Sequence, residues 1–324
     1  MKKILITGGA GFIGSHLLEM CIKNKYNVTI FDRYNSNNHW GWLEEKKNSN
    51  NFNVVLGDIR DYDSVDKAVK GHDTILHLAA LVGIPYSYIS PLAYIKTNLE
   101  GTYNVLESSK SNKVKQVIII STSETYGTAQ YVPIDENHPT FAQSPYAASK
   151  IAADQIAMSY YSSFGLKIKI VKPFNTFGPR QSARAIIPTI ISQILAKKKY
   201  IKIGNLYPTR DLTYVTDTCS AIIKIAQKKS LFGQTFNVGS NKEISVEDLF
   251  YKIKDLMNSN SKLFKEKIRV RPRVSEVNRL RCDNSKLKRY TKWNTKIDLD
   301  IGLVKTINWI KENYKHYKPE KYNI

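Results

Sequence analysis

The chain has 324 residues, 42% of them hydrophobic, which suits one large α/β domain or a cofactor domain with a smaller companion. Its net charge of +21 comes mostly from lysines spread along the whole length. The densest runs, Lys197–Lys199 and Arg269–Arg281, carry no interleaved stacking aromatics, so a solvated lysine surface or a field drawing an anionic substrate is expected, and no nucleic acid.

In chain order, short β-branched runs alternate with helical stretches: strands at Lys3–Thr7, Val28–Phe31, Asn53–Leu56, Thr74–Leu78, Gln116–Ser121 and Lys167–Lys172. Such alternation predicts an α/β fold, a Rossmann-type doubly wound parallel sheet. The continuously apolar run Val117–Ile120 fits a strand buried on both faces. After Pro173 the pattern loosens, with a strand at Thr235–Val238 and helices near Val246–Met257 and Asp300–Tyr314. The expected division is a cofactor domain at 1–173 plus 211–239, and a smaller, discontinuous α/β substrate domain at 174–210 plus 240–324. The polar loop Tyr34–Asn51 carries Trp40 and Trp42, read either as packing on the body or as part of a subunit contact or lid.

Cys21, Cys219 and Cys282 are far apart, and the six histidines form no close pair, so no disulfide framework and no metal site is expected. No apolar run approaches the roughly 20 residues of a membrane span, and the N-terminus lacks a signal-peptide pattern. A cytoplasmic protein without membrane partners is therefore expected.

Gly8, Gly11 and Gly14 form a glycine turn between the first strand and a helix, with Phe12 and Ile13 in its first helical turn. Gly8 permits the turn, Gly11 the approach of a pyrophosphate to backbone, and Gly14 close packing of helix on strand. Asp32 ends the second strand, where a carboxylate accepts from ribose hydroxyls and repels a 2′-phosphate. That favours NAD over NADP, although Arg33 beside it pulls the other way. Asp58 and Ile59 follow the third strand, suited to an adenine edge and face. Leu78, Ala79 and Ala80 end the fourth, where small side chains let a cofactor lie along the strand ends.

Tyr146 and Lys150 stand at i and i+4, sharing one helix face. A free phenol, with a pKa of about 10, is a poor base at neutral pH. A nearby ammonium and a positive nicotinamide favour the phenolate. Lys150 also suits the nicotinamide ribose. Thr122, in the segment Ser121–Gly127 after the fifth strand, is placed to hydrogen-bond the reacting hydroxyl.

With these motifs the chain resembles, over nearly its whole length, the extended short-chain dehydrogenase/reductases of the sugar-nucleotide epimerase/dehydratase family. The segments around Asn98, Pro173–Arg180, Thr209–Asp211 and Glu276–Arg279 match as well. The resemblance implies NAD as cofactor and a nucleotide-diphosphate sugar as substrate. It adds Asn98 and Pro173 to the cofactor site. It places Pro85, Ser87, Thr122, Asn175, Arg184, Arg210 and Arg279 against the substrate. It also implies a homodimer through a four-helix bundle made from Pro91–Ser111 and Ser144–Phe164 of each subunit.

The segments Ala80–Tyr88 and Pro179–Pro188, and Tyr34–Ser36 leading to Trp40–Trp42, are similar to nucleotide-activated N-acetylglucosamine 4,6-dehydratases of bacterial legionaminic acid synthesis, a cell-surface polysaccharide route. The implied reaction oxidises C4 through Tyr146, removes the C5 proton through Glu124, expels the C6 hydroxyl as water and returns the hydride to C6. One departure stands out. Where dTDP-glucose-type dehydratases have an aspartic acid to protonate that hydroxyl, this chain has Ser123, a much weaker acid. Glu124 must then serve as both base and acid, or Ser123 must relay a water. Thr-Ser-Glu also occurs in UDP-glucuronate decarboxylases, which makes that activity the alternative, with a nucleotide-sugar 4-epimerase third.

Overall fold

In the computed structural model, which describes residues 2–322, the first half of the chain forms the parallel sheet that its alternation predicts. β1 (Lys3–Thr7) leads through the glycine turn into α1 (Phe12–Lys23). β2 (Asn27–Arg33), β3 (Phe52–Gly57), α2 (Tyr62–Val69) and β4 (Thr74–His77) follow. Next, α3 (Ile84–Ile89) and α4 (Pro91–Tyr94) run through one π-helical turn, Ile95–Glu100, into α5 (Gly101–Ser111). β5 (Gln116–Ile120), α6 (Pro145–Phe164) and β6 (Ile168–Pro173) complete this half.

The second half contributes β7 (Asn175–Phe177), α7 (Ile186–Leu195), β8 (Tyr200–Ile203), β9 (Thr209–Arg210), β10 (Leu212–Tyr214), α8 (Val215–Gln227) and β11 (Gln234–Val238). After these come β12 (Ile244–Ser245), α9 (Val246–Leu256), β13 (Lys262–Lys265), β14 (Arg279–Leu280), α10 (Ser285–Thr291) and α11 (Leu299–Glu312).

The seven-stranded sheet runs in the order β11-β6-β5-β4-β1-β2-β3, every pair parallel. The strand order reverses between β1 and β4, so their carboxyl ends open the crevice where such folds bind ligands. Alternation within β1 divides the core. Ile4 and Ile6 join the cluster with Leu17, Ile222 and Phe236, while Leu5 joins Val65, Val105 and Ile168 on the other face. Both faces are covered, which is why these strands read as apolar throughout.

Outside the sheet, β7 pairs with β10, and β9 lies between β12 and β14. These small ladders tie together segments of the second half of the chain outside the main sheet.

The excursion Tyr34–Asn51 packs on the body. Trp42 meets Trp309 edge-on at 5.3 Å, and Trp40 meets Phe52 at 6.3 Å. Its Gly41 adopts φ +56°, and a Cβ there would stand 2.8 Å from the Ala10 carbonyl oxygen. The loop therefore rests directly on the glycine turn, where the Trp42 amide also donates to Ala10 O at 3.1 Å.

Candidate active site

The glycine turn is built for close approach. Gly8 has φ +71°, and a Cβ on it would lie 2.8 Å from the Ala79 backbone. On Gly14 a Cβ would lie 2.3 Å from Gly8 O, so helix and strand touch there with no side chain between them. No side chain caps the N-terminus of α1, and its first turn holds no acid. Its amides are thus free for an anion, with the positive end of the helix dipole behind them. These features fit a dinucleotide pyrophosphate.

Asp32 ends β2 facing the turn. Its Oδ2 accepts from the Ala10 amide and its Oδ1 from the Arg33 amide, each at 2.7 Å. Burial pushes its carboxyl up, partly offset by those two bonds. The Arg33 side chain is exposed. Asp58 is forked by its neighbour Arg60, with Nε at 2.9 and 3.1 Å, which holds it below the usual carboxylate range. Ile59 is buried against Gly101 of α5.

Leu78–Ala80 are set by the end of β4. His77 sits fully buried between the hydroxyls of Thr7 (2.7 Å) and Thr102 (3.0 Å), and the Ala79 amide donates to Thr7 Oγ1 at 3.2 Å. Burial lowers the His77 pKa to about 3, so the ring is neutral at physiological pH. Asn98, in the π turn, uses its amide as a clamp. It accepts from the Leu81 amide at 2.8 Å and donates to Leu81 O at 3.1 Å and Ser149 Oγ at 2.9 Å. A π turn at a functional site is a common device. Here it ties the loop after β4 to the helix that carries Tyr146. Pro173 closes β6 opposite Val238.

That helix, α6, starts sharply. Ser144 caps it by accepting from the Ala147 amide at 3.1 Å, Pro145 occupies its first turn, and Gly165 ends it in the left-handed conformation at φ +67°. Tyr146 and Lys150 both face inward and are buried. The phenol hydrogen-bonds Thr122 and packs edge-on against Tyr94 at 6.0 Å.

Burial pushes the phenol well above its ordinary value. The Thr122 bond pulls it back, and Glu124, Tyr94 and Asp154 push it further up. The expected lowering by Lys150 does not emerge from the protein's own groups. The reason is geometric: Lys150 Nζ donates to the carbonyl of Ile120 at 2.9 Å. A positive charge beside the phenol, such as a nicotinamide ring supplies, is what remains to lower it.

Thr122 also caps the short turn Ser123–Tyr126, accepting from the Glu124 amide at 3.2 Å. Ser123 is buried at 2% exposure, whereas Glu124 is half-buried and close enough to perturb both Tyr146 and Arg210. The Glu124 carboxylate is therefore within electrostatic reach of both the phenol and a guanidinium.

On the substrate side, Asn175 projects from β7 with its Oδ1 buried and without a partner, an acceptor in want of a donor. Arg210 lies near the Glu276 carboxylate, 3.5 Å away. Asp211 anchors its strand by accepting from the amides of Ser240 (2.7 Å), Asn241 (2.8 Å) and Cys282 (3.0 Å). Arg184 is exposed and reaches Gly83, whose φ of +113° and missing side chain leave room for it. Arg279 is forked on Glu243. Pro85 opens α3, and Ser87 turns inward to Ile84 O at 2.7 Å. Pro85 and Tyr88 line a cavity of about 200 Å³ with Ile268, Val270 and Pro272.

Several residues of the site carry no sequence signal of their role. Glu276 gathers Arg210, Arg271 (3.5 Å) and the Asn205 amide (2.8 Å), and Glu243 holds Arg279. Tyr88 and Ser275 bond at 2.5 Å, strapping the segment before Glu276 over α3. Apart from Arg271 and Glu276, these pairs are distant in sequence, so no spacing pattern marks them. Among the described residues, no group of His, Cys, Asp or Glu could hold a metal, and no helix is long and apolar enough to cross a membrane.

The kinship of the chain agrees with this geometry. Residues 5–306 match the family model described as GDP-mannose 4,6 dehydratase. A putative UDP-glucose 4-epimerase of Methanocaldococcus jannaschii is 33% identical, over 96% of this chain and 99% of that protein. A UDP-N-acetyl-alpha-D-glucosaminuronate decarboxylase of Bacillus cytotoxicus is 32% identical, over 96% and 98%. Among solved structures, a dTDP-glucose 4,6-dehydratase from Streptomyces venezuelae with NAD bound superposes with a TM-score of 0.89 at 26% identity, covering 98% of this chain and all of that one. The chain belongs to the extended short-chain dehydrogenase/reductase family of NAD-dependent nucleotide-sugar dehydratases and epimerases.

Proposed function

We propose that the protein is an NAD-dependent 4,6-dehydratase acting on a nucleotide-linked N-acetylglucosamine, GDP- or UDP-GlcNAc, and yielding the 4-keto-6-deoxy sugar. The observation that carries this reading is Glu124, a half-buried carboxylate within electrostatic reach of the Tyr146 phenol and of Arg210. Elimination across C5 and C6 needs such a base at C5. C4 oxidation and C4 epimerisation do not.

Gly8, Gly11 and Gly14 with the first turn of α1, Phe12 and Ile13, would hold the pyrophosphate of NAD. Asp32 and Arg33 would flank the adenosine ribose, Asp58 and Ile59 the adenine, and Leu78–Ala80, Asn98, Lys150 and Pro173 the nicotinamide half. Held there, NAD would supply the acceptor for the C4 hydride and the means of its return to C6.

Thr122 and Tyr146 hold the C4 hydroxyl, and Tyr146 takes its proton as the ketone forms. Glu124 then takes the C5 proton, which the ketone has acidified. The C6 hydroxyl must gain a proton to leave as water. Ser123 is buried and only weakly acidic, so Glu124 passes on the proton that it has just taken; a proton from solvent then fills C5 as the hydride reaches C6, and Tyr146 gives up its own proton to solvent. Asn175, Arg184, Arg210 and Arg279 bind the diphosphate and nucleoside, because a guanidinium fork matches phosphate oxygens. Pro85 and Ser87 border the sugar.

We place the cofactor part at 1–173 plus 211–239 and the sugar-nucleotide part at 174–210 plus 240–324; Met1 and residues 323–324 lie outside the described residues. A homodimer through Pro91–Ser111 and Ser144–Phe164 is supported by Leu92, Ile95, Tyr103 and Phe164, large apolar side chains left exposed on those helices. We assign the protein to the cytoplasm, with its three cysteines reduced, and to legionaminic acid synthesis.

One observation favours a second reading. Ser123 stands where an acid for the C6 hydroxyl is wanted, and a UDP-glucuronate decarboxylase needs none. Incubation with UDP-GlcNAc, GDP-GlcNAc and UDP-glucuronate, read by product mass, separates the two. Loss of water from an N-acetylglucosamine nucleotide supports the dehydratase. Loss of carbon dioxide from the glucuronate overturns it.

A further inference from the structure

Tyr146, Lys150 and Asp154 follow one another at i, i+4 and i+8, so one face of α6 carries all three inward. Asp154 is 5% exposed, and its Oδ2 accepts from Ser121 Oγ at 2.8 Å. Lys172, the next-to-last residue of β6, reaches the same oxygen at 3.3 Å, with its ammonium 4.6 Å from the centre of the Tyr126 ring. Asp154 Oδ1 has no partner. The Lys172 ammonium and the Ser121 hydroxyl thus share one buried carboxylate oxygen, one helical turn beyond Lys150 and behind the reacting phenol.

Such an arrangement is poor as a stabilising device. Desolvating three charges costs more than a well-packed apolar trio would, and one positive charge is left over. A carboxylate oxygen buried without a donor adds to that cost. The cluster nevertheless touches everything that matters nearby. Ser121 follows Ile120, whose carbonyl receives Lys150 Nζ at 2.9 Å. Tyr126 closes the turn that presents Glu124.

We propose that Asp154 and Lys172 are positioning residues that set the charge of Lys150 from behind, Asp154 holding the ammonium protonated and Lys172 limiting that hold. The groups facing the cluster are Tyr146 and Lys150 on α6, His77 on β4, Ser121 and Tyr126 after β5, and Lys172 on β6, with Glu124 beyond the phenol. Of these, His77 is neutral and Ser121 uncharged, leaving Asp154 and Lys172 to act on Lys150 in opposite senses. The directions agree. Burial lowers the Lys150 pKa, Asp154 raises it, and Lys172 lowers it again. Burial likewise raises Asp154, and the two lysines pull it down.

This inference does not depend on which sugar is bound, so its test needs no substrate. Lysine labelled with ¹³C at Cε, the Lys150 signal being assigned by its loss in Lys150→Met, is titrated by NMR in the free protein and with NAD. Asp154→Asn should move the Lys150 midpoint down by about one pH unit or more, and Lys172→Met should move it up. Opposite shifts in two folded variants are not what a packing role produces. Should Asp154→Asn fail to fold, Ser121→Ala weakens the carboxylate's support while keeping every charge, and a smaller downward shift is expected. Shifts of the same sign, or none, in variants that melt like the parent would overturn the proposal.

Discussion

The guanidinium of Arg279 lies forked on the carboxylate of Glu243, with Nη2 2.6 Å from one oxygen and Nε 3.0 Å from both. An exposed fork of this kind, screened by solvent, contributes little to stability. If the pair were only a surface ion pair, Arg279→Ala and Glu243→Ala would act alike. If instead Glu243 aims Arg279 at the nucleotide diphosphate, the two variants differ. Arg279→Ala should raise KM about tenfold or more with little change in kcat, and Glu243→Ala should raise it only a few-fold. Equal, small effects in the two variants would remove Arg279 from the substrate site.

Tyr146→Phe tests the proton transfer at C4. The ring keeps its edge-on contact with Tyr94, and the hydroxyl that bonds Thr122 is lost. Turnover should fall by about 10²- to 10⁴-fold, the usual worth of a positioned acid–base group. Binding of NAD, followed by calorimetry, should change little. Turnover within a factor of a few of the parent would deny the phenol its role.

Glu124→Gln separates oxidation from elimination. The amide keeps the shape of the side chain that faces Arg210 but cannot take a proton. With the substrate in deuterated water, the parent should place solvent deuterium at C5, and the variant should not, while still binding the nucleotide sugar. Undiminished exchange at C5 in the variant would assign the base elsewhere.

His77 gives a pH prediction. Its folded pKa of about 3 lies below the unfolded value near 6.5, so the neutral ring is favoured by the fold. The unfolded chain therefore binds the extra proton first as pH falls. This contribution is fully present above about pH 6.5 and is lost progressively below it, at up to about 1.4 kcal/mol per pH unit, until the folded ring itself titrates. Thermal melts should show His77→Gln losing less stability than the parent between pH 7 and pH 5. Parallel losses would show that other groups govern the acid limb.

Much of this architecture is written locally. The glycine turn, the strand ends at Asp32 and Asp58, and the Tyr146–Lys150 spacing each depend on neighbours in sequence, and each stands where its pattern places it. The expected strand at Asn53–Leu56 gains one residue at each end, and the closing helix begins one residue early and stops at Glu312. What sequence does not carry is partner choice across the chain. Glu243 with Arg279 and Glu276 with Arg210 meet only because β9 lies between β12 and β14.

Asp154 and Lys172 left a trace that spacing alone could have raised. One lies a single helical turn beyond Lys150, and the other is one of two lysines within the sixth strand. Their meeting required the packing of α6 on β6. The aim of Lys150 at Ile120 O likewise follows from the sheet register, in which Ile120 pairs with Val171, and removes the ammonium from the pair of charges expected to lower the phenol.

The central claim is that the group lost from C6 is replaced by the hydrogen taken from C4. A nucleotide-linked N-acetylglucosamine carrying deuterium at C4 tests it in one measurement. Loss of water is predicted, with a product whose C6 methyl carries the label, seen by mass and by NMR. Label remaining at C4, with no water lost, would contradict it.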